Sequence, residues 1–187
     1  ESDINFWDYD GTLLHSWTLA ELADKTELPP LPSHEGLVCQ GWNWTLADIK
    51  SEGRELDIGA LYITDDGKTR LYVDVDTETW DDFVLNYWQS TANATTVDWG
   101  DGTTPETKNA DSWTEHRHVY ASSGSYVITM SVAEGATMRL GRGSSSCMLI
   151  ANGETDSGRC AMLAKVEIGE RVTRVTERAF YNACRLR

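Results

Sequence analysis

Apolar and polar residues alternate most regularly from Tyr126 to Val132. Tyr126, Ile128, Met130 and Val132 fall on one face, and Val127, Thr129 and Ser131 on the other. That two-residue period predicts a half-buried strand. Phe83–Trp88 and Val97-Asp98-Trp99 read as earlier strands, and 109–115 as a polar loop. Toward the start, Ile4–Tyr9 and Thr12–Ser16 flank Asp10-Gly11, while Leu61–Thr64 and Thr69–Val73 flank Asp65-Asp66-Gly67-Lys68. A tight Asp-Gly turn between such runs predicts a β-hairpin, with the glycine at positive φ. Thr18-Leu19-Ala20-Glu21 has capping-box spacing and predicts a short helix that Pro29, Pro30 and Pro32 follow with an extended loop. Thr45-Leu46-Ala47-Asp48 predicts a second helix, with Gly53 near its end. The expected fold is mainly β: a small α+β unit over 1–73, a β-sandwich over 74–143 and a repeat segment over 144–187.

The sandwich assignment rests on Val97-Asp98-Trp99-Gly100-Asp101-Gly102, then His118-Val119-Tyr120, then Ser123-Gly124-Ser125-Tyr126 and the alternating strand. This series resembles the PKD domain, an immunoglobulin-like β-sandwich. Its pattern has Trp where Val97 stands, Phe where Trp99 stands and Pro where Ser123 stands. The resemblance implies a binding or spacer module and gives His118 a turn-stabilising role. The last segment reads Cys160-x-x-Leu163-x-x-Val166-x-Ile168, then Val172-Thr173-x-Val175, then Ala179-Phe180 and Cys184. It resembles the BspA-like leucine-rich repeats of bacterial surface proteins, with Val175 in place of the usual Ile. The resemblance puts Val166, Ile168, Val172, Val175, Phe180 and Cys184 on the inner side of a coil. One repeat cannot bury its own face, so the segment either packs on the sandwich or belongs to a solenoid continuing past Arg187, and a partial solenoid that continues is the expectation. The whole order resembles surface or virion proteins of gut bacteria and their phages. It implies an adhesion or display module on a phage tail or capsid, or on a cell surface. The implied partners are host proteins or glycans, with other copies or neighbouring virion proteins as further contacts.

Composition narrows the partners. The chain has 30 Asp and Glu against 16 Lys and Arg, a net charge of −14. Nucleic acid and anionic membrane surfaces need clustered cations, so neither is an expected partner. No apolar run approaches the ~20 residues of a membrane span. Glu1-Ser2-Asp3 lacks a basic or apolar leader, and the missing initial Met suggests a piece of something longer. Cys39, Cys147, Cys160 and Cys184 have no C-x-x-C spacing; buried thiols are expected, and any disulfide pairing stays open.

The chemical motifs are few. Asp8-Tyr9-Asp10-Gly11-Thr12 matches the first motif of haloacid-dehalogenase-like phosphatases. That reading makes Asp8 the nucleophile and Asp10 the acid/base around Mg²⁺. No doubly wound α/β pattern follows, and the hairpin already explains Asp10-Gly11, so no enzyme and no cofactor are expected. Asp74 with Asp76, Asp81 with Asp82, and Asp98 with Asp101 read as solvated acidic faces rather than a Ca²⁺ loop. His15, His34, His116 and His118 are not spaced as a metal triad. Trp42 and Trp44 lie two apart on one expected strand face; they are the candidate sugar-stacking pair, with burial in the core as the alternative.

Overall fold

The computed structural model describes residues 3–80, 82–141, 149–150 and 154–186. Cys147, Asp81 and the start of the repeat segment lie outside the described residues. The chain is mainly β and divides into two compact units, Glu1–Asp65 and Asp66–Arg187.

The first unit opens with β1 (Ile4–Trp7) and β2 (Leu13–Trp17), an antiparallel hairpin. Its turn closes through the Asp8 amide to the Thr12 carbonyl at 2.8 Å, with Gly11 at φ 83°. The four-residue helix α1 (Leu19–Leu22) carries the full capping box between Thr18 and Glu21. After the proline loop come β3 (Leu37–Trp42), α2 (Leu46–Glu52) and β4 (Leu56–Thr64). Thr45 caps the start of α2 and Gly53 ends it in the left-handed conformation. The sheet order is β2-β1-β4-β3, with β1 and β4 parallel. Ile4, Phe6, Trp17, Leu22, Trp42, Ile49, Leu56 and Ile58 close over one core.

The second unit holds two four-stranded sheets. One is β11-β5-β9-β7 and the other is β12-β10-β6-β8. The strands are β5 (Thr69–Val75), β6 (Asp82–Gln89), β7 (Thr95–Asp98), β8 (Trp113–Val119), β9 (Gly124–Val132), β10 (Met138–Leu140), β11 (Leu163–Glu167) and β12 (Val172–Val175). A 3₁₀ helix, Glu154–Met162, precedes β11. Leu71, Val73, Ile128 and Met130 of the first sheet share a core with Phe83, Leu85, Tyr87, Met138 and Leu140 of the second. The arrangement is sandwich-like, and the alternation along β9 places Ile128 and Met130 inside as expected.

Four expectations change. The Asp66-Gly67 turn does have Gly67 at φ 71°, but it is no hairpin tip. β4 pairs with β1 and β3, and β5 with β9 and β11. The boundary expected after residue 73 therefore falls at Asp65, because β5 is a full seven-residue partner of β9. The loop expected over 109–115 ends earlier, since β8 starts at Trp113 opposite Trp88. The described part of the last segment forms no solenoid: β11 joins one sheet beside β5, and β12 joins the other in parallel with β10. The repeat resemblance implies an extended chain over 165–168, and β11 covers it as far as Glu167; Val166, Ile168, Val172 and Phe180 pack against the core while partly exposed. Val175 and Cys184 are exposed instead of lining a coil. Ala179 is buried. The strands that a repeat would stack on its neighbours are consumed in completing the two sheets.

Candidate functional site

The first candidate lies where the Asp8–Thr12 motif falls. Asp8 leaves the end of β1 and is 8% exposed. Its Oδ1 accepts from the Tyr62 hydroxyl at 2.7 Å and from the Tyr9 amide at 2.8 Å. Its Oδ2 lies 2.7 Å from His34 Nε2. Tyr62 comes from β4 and His34 from the loop before β3, so three separate segments converge. The rings of Tyr9, His34 and Tyr62 meet edge to face, with centroids 5.1 to 5.5 Å apart. Burial pushes the Asp8 carboxyl up, yet the hydrogen bonds from Tyr62, the Tyr9 amide and His34 outweigh it and hold the pKa below the usual carboxylate value. Burial and the Asp8 carboxylate together push the Tyr62 hydroxyl upward, so it stays a donor.

Asp10 does not join this group. It is exposed at the turn, where Oδ1 accepts from the Thr12 amide at 2.9 Å. Hydrogen bonds from Thr12 lower its pKa. Among the described residues, no three His, Cys, Asp or Glu side chains come together in a way that would hold a metal ion. The Asp8 cluster is a buried carboxylate that ties a loop and a strand to the hairpin. Tyr62→Phe is expected to leave Asp8 short of one donor and to cost about 1–3 kcal/mol. Urea unfolding against the unsubstituted chain reads it; an unchanged midpoint would count against the hydroxyl as a tie.

The sugar-stacking pair is not assembled. Trp42 ends β3 and is 9% exposed, its ring edge-on to Phe6 and its Nε1 donating to the Pro29 carbonyl at 3.0 Å. Trp44 is half-buried and packs on the same core. A ring so enclosed offers no flat face to a pyranose, so Trp42 serves the core. Cys39 and Cys184 are free thiols, and the buried Cys160 thiol donates to the Ile150 carbonyl at 2.7 Å. Burial pushes the Cys160 thiol up to about 11, which makes it a poor nucleophile.

The second candidate is the turn after β7. Asp101 Oδ2 lies 2.7 Å from His118 Nε2, and its Oδ1 accepts from the Thr103 amide at 3.0 Å and hydroxyl at 2.6 Å. Burial raises the Asp101 pKa, but these bonds from Thr103 and His118 prevail and bring it down to about 2. The His118 ring stacks on Trp99, centroids 4.6 Å apart and planes 8° off parallel. The Tyr120 hydroxyl donates to the Trp99 carbonyl at 3.1 Å, and the Tyr120 ring stacks on Tyr126. Gly100 sits at φ 76° directly against β9: a Cβ there would lie 2.5 Å from the Val127 carbonyl oxygen. Asp101, His118 and Tyr120 thus each have a structural partner, and His118 holds the turn as expected. No family model, no curated protein and no solved structure matches the chain.

Proposed function

We propose that the chain is a non-catalytic adhesion or display module of a phage particle or a bacterial surface, contacting host proteins or glycans. The observation that carries this reading is the locked turn of the second unit. Asp101–His118, the Trp99–His118 stack and the Tyr120–Trp99 hydrogen bond join the residues in which the sequence resembles a PKD domain. Modules of that kind present rigid sheets and loops to a partner. The acidic surface charge keeps such a module soluble and apart from nucleic acid. The leucine-rich pattern remains a sequence resemblance within this reading, because β11 and β12 complete the two sheets.

The phosphatase alternative needs Asp8 as a nucleophile. Its two oxygens already hold three hydrogen-bond partners, and Asp10 is an exposed cap on Thr12 that does not join them. Two assays separate the readings. The purified chain, presented on a glycan array and to intact bacterial cells, is expected to bind one of the two. With a generic phosphate ester and Mg²⁺ it is expected to show turnover no greater than buffer. Phosphatase activity that Asp8→Asn removes would replace this reading, and an array and cell panel without any binding would end it.

A further inference from the structure

We propose that one row on the outer side of the β12-β10-β6-β8 sheet is a binding row for a carboxylate-bearing glycan; Val84 and Asn86, on the same side of β6, are buried and lie outside it. The inference rests on the adhesion reading and names its site and ligand class. Strand register sets four side chains in one line across this sheet. Arg174 of β12 is opposite Arg139 of β10, Arg139 is opposite Trp88 of β6, and Trp88 is opposite Trp113 of β8. All four point away from the core. Phe83, Leu85 and Tyr87 alternate with Trp88 and go inward, as do Met138 and Leu140 on either side of Arg139. A bulge between Met138 and Arg139 is what brings Arg174 into line. Three strand spacings make the row about 14 Å long, enough for a short oligosaccharide.

The chemistry of the row is uneven in a useful way. At one end Trp113 is 36% exposed, a flat apolar surface on the edge strand. A pyranose presents a C–H face that stacks on such a ring while its hydroxyls stay wet. In the middle, the Arg139 guanidinium lies over the Trp88 ring, 4.3 Å from its centroid. That stack orders the fork of donors without spending them, and a planar fork fits a carboxylate through two parallel bonds. Arg174 adds a second, exposed guanidinium at the far end. Neither arginine has an ion-pair partner among the described residues. In the next row Glu115, opposite Asn86, pairs with Arg117 at 2.7 Å. In a chain of net charge −14, two unneutralised arginines beside two tryptophans form a local positive strip. A sugar chain with one carboxylate per residue or fewer matches that strip. A nucleic acid would meet the same tryptophans, but its denser charge opposes the acidic remainder of the surface.

The test uses the whole chain and variants at exposed Trp113 and half-buried Arg139. The probes are oligogalacturonides, their methyl esters, hyaluronan oligosaccharides, sialyllactose and a single-stranded oligonucleotide, titrated by calorimetry. At least one acidic sugar is expected to bind, more weakly as salt rises. Trp113→Ala and Arg139→Gln are each expected to lower affinity by roughly tenfold or more. Arg139→Lys should recover part of the loss, which a merely structural role would not produce. Near-ultraviolet circular dichroism confirms the fold of each variant. Equal binding of the methyl ester, or affinity unmoved by both substitutions, would overturn the row and leave the adhesion reading standing. Tighter binding of the oligonucleotide would overturn the ligand class. Failure on every sugar while intact cells still bind would likewise sink the row alone; failure on sugars and cells together would take the adhesion reading with it.

Discussion

Gly100→Ala is expected to destabilise the second unit by about 3–4 kcal/mol. Two costs combine. The residue sits at φ 76°, where a side chain costs about 1 kcal/mol. Its Cβ would also stand 2.5 Å from the Val127 carbonyl oxygen and 3.0 Å from the Val127 amide nitrogen. Those atoms belong to a central strand, β9, paired on both sides with β5 and β7. They cannot retreat without breaking a ladder, so the overlap adds roughly another 2–3 kcal/mol. Gly102→Ala is the control. Gly102 lies at φ 85° with nothing within 4 Å of the place a Cβ would occupy, so it carries the first cost alone. Urea midpoints of the two variants give the comparison directly. Equal losses would show that β9 yields, and that close approach to Val127 does not set the turn.

What was legible in the sequence was local. Asp10-Gly11, both helix caps and the alternation of β9 depend on residues a few positions apart, and the structure has each of them. Asp66-Gly67 shows the limit. The turn itself was readable, but a turn does not say whether its flanking strands pair with each other, and here their partners lie elsewhere in the chain. Likewise the spacing around Leu163–Ile168 pointed to an extended segment, while its partner β5 is far earlier in the chain, where Leu163 meets Val73. The sites divide the same way. Asp101 and His118 were each visible as turn residues, Asp101 through its own turn and His118 through the PKD resemblance, but their contact with one another was not. His34 and Tyr62 were invisible as partners of Asp8, since no spacing links positions 26 and 54 apart. Trp42 and Trp44 were two apart, but β3 ends at Trp42, so the shared strand face stops before Trp44. The Arg174-Arg139-Trp88-Trp113 row depends wholly on register and on one bulge, neither of which the sequence pattern carries.

His116 should make the second unit acid-sensitive from about pH 6.5 downward, starting above the range where carboxylates titrate. It lies on β8 opposite Leu85, fully buried. Its ring stacks on Tyr87, whose hydroxyl is 2.8 Å from Nε2. Burial first, and the Lys108 charge second, bring its pKa down to about 4 against an ordinary value of 6.5; the half-exposed Glu106 carboxylate, 3.6 Å from Nδ1, opposes them without prevailing. The folded chain therefore keeps His116 neutral while the unfolded chain takes up a proton below pH 6.5. In that window the unfolded state binds more protons, so stability rises with pH. The contribution is complete above pH 6.5, fades as pH falls toward 4 and levels off below. At about 1.36 kcal/mol per pH unit it amounts to roughly 3 kcal/mol. Asp101 acts lower: with its pKa at about 2, the stability it lends is present above its ordinary value of 3.8 and is lost as pH falls through 2. Urea titrations from about pH 7.5 down to about pH 4, on the chain and on His116→Gln, isolate the histidine. The variant is expected to be less stable at the neutral end, since a packed ring is lost, but nearly flat down to the acid end. Two parallel curves would mean that His116 titrates alike in the folded and the unfolded chain, so that its burial sets no pH dependence.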